Sequence, residues 1–390
     1  MTSLPKNRIE SIDLLKGLVM VIMALDHVRD YFHYASNFFD PADPTKTSLA
    51  IFFTRWITHF CAPTFCFLAG ISAFLIGKRK TLTQLSSFLI KRGLWLVFIE
   101  LTVMTFGLFF DVQFRTFGLL VIWSLGISMI ILAGLIHLPR KTLLLFCILF
   151  IFGHNLLDGV SFGNNLLWNI LHQPTLVKIS ADTQLLVSYP IIPWFAVMGL
   201  GYYFGSFYDQ SYDSVKRKKL FNTIGFASII LFIILRVINL YGDPRPWQHY
   251  DTFSKELISF LNPVKYPPSL LFLLMTLGGT FLFLANSEKL RGKAVAFFST
   301  FGRVPFFYFV LHIYLIHITA MIFAELSGFG WKLFILPSFT GLVPELRGYG
   351  FNLITVYLIW IGIVIVLYPI CKKFDVYKQN HKEKWWLSYL

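Results

Sequence analysis

SIDLLKGLVMVIMALDHVRDYFH, residues 11–33, decides how the chain is read. The run from Leu14 to Leu25 is apolar apart from Lys16, and it closes on Asp26-His27-Val28-Arg29-Asp30. At 1.5 Å per residue such a segment extends ~34 Å as a helix, enough to cross a hydrocarbon core of ~30 Å. Its charged close then lies near the far surface. Nine further apolar runs follow, at roughly 49–77, 84–110, 117–137, 141–158, 185–207, 219–241, 266–286, 296–326 and 350–371. The expected fold is therefore all-α: a polytopic integral membrane protein of about ten transmembrane helices, forming a single domain over 1–390.

Composition agrees with that reading. Of 390 residues 56% are apolar and only 14% charged, and mean hydropathy is +0.65. A soluble domain carries about 25% charged residues. The 43 Phe and 10 Trp suit lipid-facing and interfacial positions. Cys61, Cys66, Cys147 and Cys371 lie in apolar runs without metal-binding spacing, so they read as small core residues and no metal is expected. No cleavable signal peptide is evident, because the first run carries charges and lacks a small-residue cleavage site.

The net charge of +14 invites a nucleic-acid partner until its distribution is examined. Lys6 and Arg8, Lys78 to Lys80 with Lys91 and Arg92, Arg140 and Lys141, Lys216 to Lys219, Lys289 to Lys293 and the tail from Lys372 to Lys384 hold 21 of the 34 Lys and Arg residues. The alternate connections hold eight, Arg115 and seven spread over longer loops at 34–48, 159–184, 242–265 and 327–349. The positive-inside rule places both termini in the cytosol, as an even number of spans requires. The basic residues thus face a lipid bilayer, and a nucleic-acid partner is not expected.

An ionisable side chain within a span is costly and points to function. His27 lies ~24 Å along the first span. Arg55 and His59 share one face of the second, four residues apart. Glu100 lies deep in the third and His312 past the midpoint of the ninth, while Tyr189, Trp194 and Lys265 stand at span ends. Arg29, Asp30 and Glu100 also read as buried ion-pair partners. His27 has the ingredients of a general base, with Asp26, Asp30 or Glu100 as the carboxylate that orients its ring.

Residues 8–27, RIESIDLLKGLVMVIMALDH, resemble the opening of membrane acyltransferases related to heparan-alpha-glucosaminide N-acetyltransferase. THFCAPTFCFLAG (58–70), GHNLLDG (153–159), YPIIPW (189–194), YGDPRPW (241–247), KYPPSLLFLLMTLG (265–278) and FGRVPFFYFVLHIYLIH (301–317) are similar to signatures of bacterial members. Polysaccharide O-acyltransferases resemble the chain too, in the fourteen-residue spacing of Asp13 and His27 and in Gly302, Arg303, Tyr308 and His312. The chain departs from them at Lys91, Arg92 and Trp95, where they carry an RRxxR-like string. It departs from the lysosomal enzyme in having no His between His33 and His59.

The resemblance implies acyl transfer from cytosolic acetyl-CoA to a glycan or small-molecule acceptor across a bacterial inner membrane, with a homodimer left open. The expected catalytic residues are His27, Asp26 and His312. Arg29, Asp30, Arg55, His59, Glu100, Tyr189, Trp194 and Lys265 are expected at the acceptor or oxyanion site. Lys78, Arg79, Lys91, Arg92 and Arg303 are expected to hold the phosphates of acyl-CoA. The alternative is a proton-coupled transporter or exporter, against which the sequence has no inverted repeat and no paired broken helices.

The charge asymmetry makes a direct prediction. A reactive cysteine placed within 216–219 is expected to label only from the cytosol, and one within 245–255 only from outside. Labelling of both from one side would overturn the ten-span topology.

Overall fold

The computed structural model describes residues 9–163 and 165–388, so Lys6 and Arg8 lie outside the described residues. Fifteen α-helices are described. They are α1 (Glu10–Phe32), α2 (Leu49–Trp56), α3 (Cys61–Gly77), α4 (Leu82–Ile99), α5 (Thr105–Phe109), α6 (Val121–Leu135), α7 (Arg140–Gly153), α8 (Leu166–Leu171), α9 (Ile191–Gly205), α10 (Ser214–Ile238), α11 (Phe253–Leu261), α12 (Leu270–Ser287), α13 (Lys293–Arg303), α14 (Pro305–Leu326) and α15 (Leu353–Asn380). Local chemistry sets several boundaries. Thr81 and Gln84 form a capping box on α4, and Ser269 and Asn352 cap α12 and α15.

Among the described residues seven helical stretches are long and apolar enough to cross a membrane: Leu49–Gly77, Leu82–Phe109, Arg140–Leu157, Ser214–Ile238, Leu270–Ser287, Pro305–Leu326 and Leu353–Asn380. Each lies on one of the expected spans. The other three expected positions hold α1, with its charged residues, and α6 and α9, of 15 residues each. α6 and α9 are short because the apolar runs 117–137 and 185–207 begin as strands. β1 (Thr116–Leu119) and β3 (Gln184–Val187) pair in parallel, and β2 (Thr175–Lys178) pairs antiparallel with β3. The fold is mostly helical rather than all-α. β-Branched and aromatic residues at a span end suit a strand as well as a helix.

Three departures from α-geometry matter for the site. A 3-10 turn at Ile57–Phe60 joins α2 to α3, and a π-helical turn at Glu100–Met104 joins α4 to α5. The expected single span 296–326 is broken at Val304 (φ −131°, ψ 49°), where Pro305 starts a new helix. Proline has no N–H to continue the α13 ladder but fits the first turn of α14. The expected span 296–326 is therefore a broken helix.

Helices in lipid gain little from apolar contact alone, so close packing relies on small residues. α13 and α14 run alongside α1 in one register, with Arg291 paired to Glu10 at 3.4 Å and His312 beside His27. Gly17 and Gly302 let the two backbones touch: a Cβ at Gly17 would lie 1.7 Å from the Phe298 carbonyl oxygen, and one at Gly302 1.8 Å from that of Asp13. Gly70 and Gly201 do the same between α3 and α9.

Gly17→Val should therefore push α13 away from α1. Overpacking costs ~1–3 kcal/mol, more where backbone must move. A thermal melt of purified protein should show a clearly lowered midpoint; an unchanged one would contradict the register described.

Candidate active site

One cavity of about 490 Å³ runs through the bundle along α1, from Lys16 to Asp30. Met20, Met23, Ala69, Phe88, Phe306 and Phe309 make most of its middle apolar. All three helical irregularities reach its wall, through Thr58, through Glu100 and Met104, and through Pro305. Non-α backbone at membrane depth is tolerated where it lines a cavity, and π-turns recur at functional sites.

His27 lines the cavity, and its Nδ1 is 2.8 Å from Nε2 of His312. The rings stack with centroids 5.0 Å apart. His312 is fully buried, and its Nδ1 is 3.1 Å from the Tyr308 carbonyl oxygen. A carbonyl only accepts, so in the neutral pair His312 carries its proton on Nδ1 and accepts at Nε2. His27 must then donate from Nδ1, which leaves its lone pair on Nε2. The group that orients His27 is a second histidine, 285 residues away in sequence. Among the described residues no hydrogen bond joins His27 to Asp26, Asp30 or Glu100.

Asp26 is engaged elsewhere. It accepts a hydrogen bond from Nη1 of Arg55, pairs with Arg29 at 2.9 Å and lies 3.8 Å from Lys265. Arg29 also donates to Asp30 at 2.5 Å. Asp26, Asp30, Arg55 and Lys265 line the cavity, whereas Arg29 sits behind them. Glu100 also lines it, but its carboxylate accepts from the backbone N–H of Trp123 at 2.9 Å. It thereby caps α6, whose own cap residue, Leu120, offers no side-chain acceptor.

Lys265 arrives on a loop fixed by two of the sequence motifs and by Arg236. Asp243 of YGDPRPW accepts from the Val264 N–H at 2.7 Å and the Ser269 hydroxyl at 2.8 Å. His154 of GHNLLDG lies 2.9 Å from the Pro268 carbonyl, and Asn155 accepts from the Leu270 N–H at 2.8 Å. Buried Arg236 donates to the carbonyls of Phe260 at 3.0 Å and Ser259 at 2.8 Å. These contacts hold Lys265 and Tyr266 at the cavity mouth beside Tyr189, whose ring centroid is 5.3 Å from that of Tyr266.

Other expected residues lie away from the cavity. His59 is buried against Phe272. Trp194 is buried beneath Tyr189, with its indole N–H unbonded among the described residues. Of the expected phosphate-binding cations only Arg92 lines the cavity. Lys78 pairs with Asp209 at 2.7 Å, Arg303 donates to Asp375 at 2.5 Å, Lys91 is exposed, and Arg79 does not reach the wall. These four stand away from the cavity wall. Lys16 was missed: its Nζ donates to Ser72 at 2.7 Å, and both line the cavity. The signal is present, as a lysine within the apolar run from Leu14 to Leu25. Among the described residues no group of three or more His, Cys, Asp and Glu could hold a metal ion.

The model of the catalytic region of heparan-alpha-glucosaminide N-acetyltransferase matches residues 8–236. That interval includes α1, α2 and the motifs through YPIIPW, and ends before Lys265 and His312. No curated protein matches the chain. The match covers more than half of the sequence and takes in the helix that carries His27. The chain therefore belongs to the heparan-alpha-glucosaminide N-acetyltransferase catalytic family and is an integral membrane protein of transferase type.

Proposed function

We propose that this protein takes an acetyl group from acyl-CoA on the cytosolic side and transfers it to a hydroxyl or amine acceptor, a sugar or glycan, entering from the other side. In this reading all ten helical positions cross a bacterial inner membrane as one domain over 1–390, with both termini cytosolic. The observation that carries it is the histidine pair, because it leaves the lone pair of a cavity-lining His27 on Nε2.

His27 Nε2 takes the proton from the acceptor as its oxygen or nitrogen attacks the thioester carbonyl carbon. The carbonyl oxygen becomes an oxyanion, stabilised by the guanidinium of Arg55, which Asp26 holds in place. Collapse breaks the C–S bond, and the leaving thiolate of CoA takes the proton back from His27. His312 is the positioning residue for His27. The low dielectric around the buried pair strengthens each of these interactions.

A transporter would also use buried His and Asp groups, and the break at Val304 resembles the discontinuous helices of transporters. Membership of a transferase family favours the enzyme reading.

His27→Ala should leave a folded protein that still binds acetyl-CoA but transfers acetyl groups ~10²–10⁴-fold more slowly. Retained thermal stability and donor binding would exclude collapse of the site. Transfer at the wild-type rate would make His27 structural.

A further inference from the structure

The apolar middle of the cavity meets an ionic end near the N-terminal half of α1. Lys16 donates to the Ser72 hydroxyl at 2.7 Å. Ser72 in turn donates to the Leu68 carbonyl at 2.7 Å. The serine therefore offers its lone pairs to the lysine and fixes the ammonium group at the wall. The ammonium group is thereby held at the cavity wall, which both Lys16 and Ser72 line. Arg92, from α4, lines the same cavity, and Ile76, Phe88 and Pro305 fill the wall around this end. A cation on an apolar wall with a hydroxyl to hold it suits an anion that arrives at the end of a long neutral chain.

The spacing identifies the anion. Eleven residues separate Lys16 from His27 on one continuous helix, which places them ~16 Å apart along its axis. In an acyl-CoA, about fourteen bonds join the thioester carbonyl carbon to the first phosphorus of the diphosphate. An extended chain advances ~1.1–1.2 Å per bond, as a polypeptide does, so this arm also spans ~16 Å.

Resting on the acyl-CoA reading above, we infer that Lys16, held by Ser72, is the subsite for the phosphate that ends the pantetheine arm. The distance from Lys16 to His27 then acts as a ruler that brings the thioester to the base. Met20, Met23 and Phe306 flank the neutral arm between them. Arg92 attracts the second phosphate at the cavity entrance. Lys16 is a binding and positioning residue and takes no part in proton transfer.

The test is direct binding of three ligands, pantetheine, 4′-phosphopantetheine and CoA, to purified full-length protein in nanodiscs. In the wild type, 4′-phosphopantetheine should bind at least about tenfold more tightly than pantetheine, as a charge-assisted phosphate contact implies. Lys16→Met should abolish that difference while leaving pantetheine affinity unchanged, and Lys16→Arg should restore most of it. Ser72→Ala should reduce the difference without removing it. Retained pantetheine binding by Lys16→Met shows that the cavity is intact. A tenfold phosphate preference that survives Lys16→Met would overturn the subsite and leave the acyl-CoA reading standing. Failure of the wild type to bind any of the three ligands would remove both.

Discussion

An ionised carboxylate has no stable place in hydrocarbon without a partner, and the site is built around how Asp26 meets that requirement. One oxygen accepts from Arg55 of α2, and Arg29 and Lys265 stand within ion-pair distance. Those three cations come from α1, α2 and the loop before α12. The carboxylate therefore ties together three parts of the chain that sequence separates by up to 239 residues. Removing one member of such a buried set leaves uncompensated charge, at a cost of ~3–5 kcal/mol. His27 is the next residue on the same helix, so the ion cluster also fixes the depth and rotation of the histidine. Its neighbour His312 is set independently, by the register of α13 and α14 along α1.

A continuous cavity requires helices that do not pack along their whole length, and the chain achieves this with local backbone departures. The 3-10 turn after Trp56, the π-turn at Glu100 and the break at Val304 each place residues on the cavity wall. Glu100 shows how the resulting polar groups are satisfied. Its carboxylate takes the orphan N–H groups at the start of α6, a helix shortened because its apolar run begins as β1. The loop before α12 is held in the same manner, by Arg236 and Asp243, which occupy carbonyl and N–H groups that no regular ladder pairs.

Much of this was legible in the sequence, for identifiable reasons. Length and hydropathy located the helical stretches, and helical rise put His27, Arg55 and Glu100 at related depths; all three line one cavity. Proline at 305 was a visible breaker, yet the apolar run continued through it and concealed the break. The strands at 116–119 and 184–187 were hidden because each is a short segment continuous with a longer apolar run, which suits helix and strand alike. Pairing was the least legible. Nothing local says that Asp26 meets Arg55 and Lys265 while His27 meets His312, since these are tertiary contacts between residues that carry no mutual signal. The basic residues were legible as charge but not as position: Lys78 and Arg303 pair with Asp209 and Asp375 away from the cavity, while the half-buried Lys16 lines it.

The central claim is that one cavity joins a donor on one face of the membrane to an acceptor on the other. It is tested most directly in sealed membrane vesicles of known orientation, with radiolabelled acetyl-CoA supplied to one face only and an impermeant mixture of amino sugars and glycans on the opposite face. The account predicts labelled acceptor when the donor is on the cytosolic face, and none when donor and acceptor faces are exchanged. Equal labelling in both arrangements, or label only when donor and acceptor share a face, would contradict it.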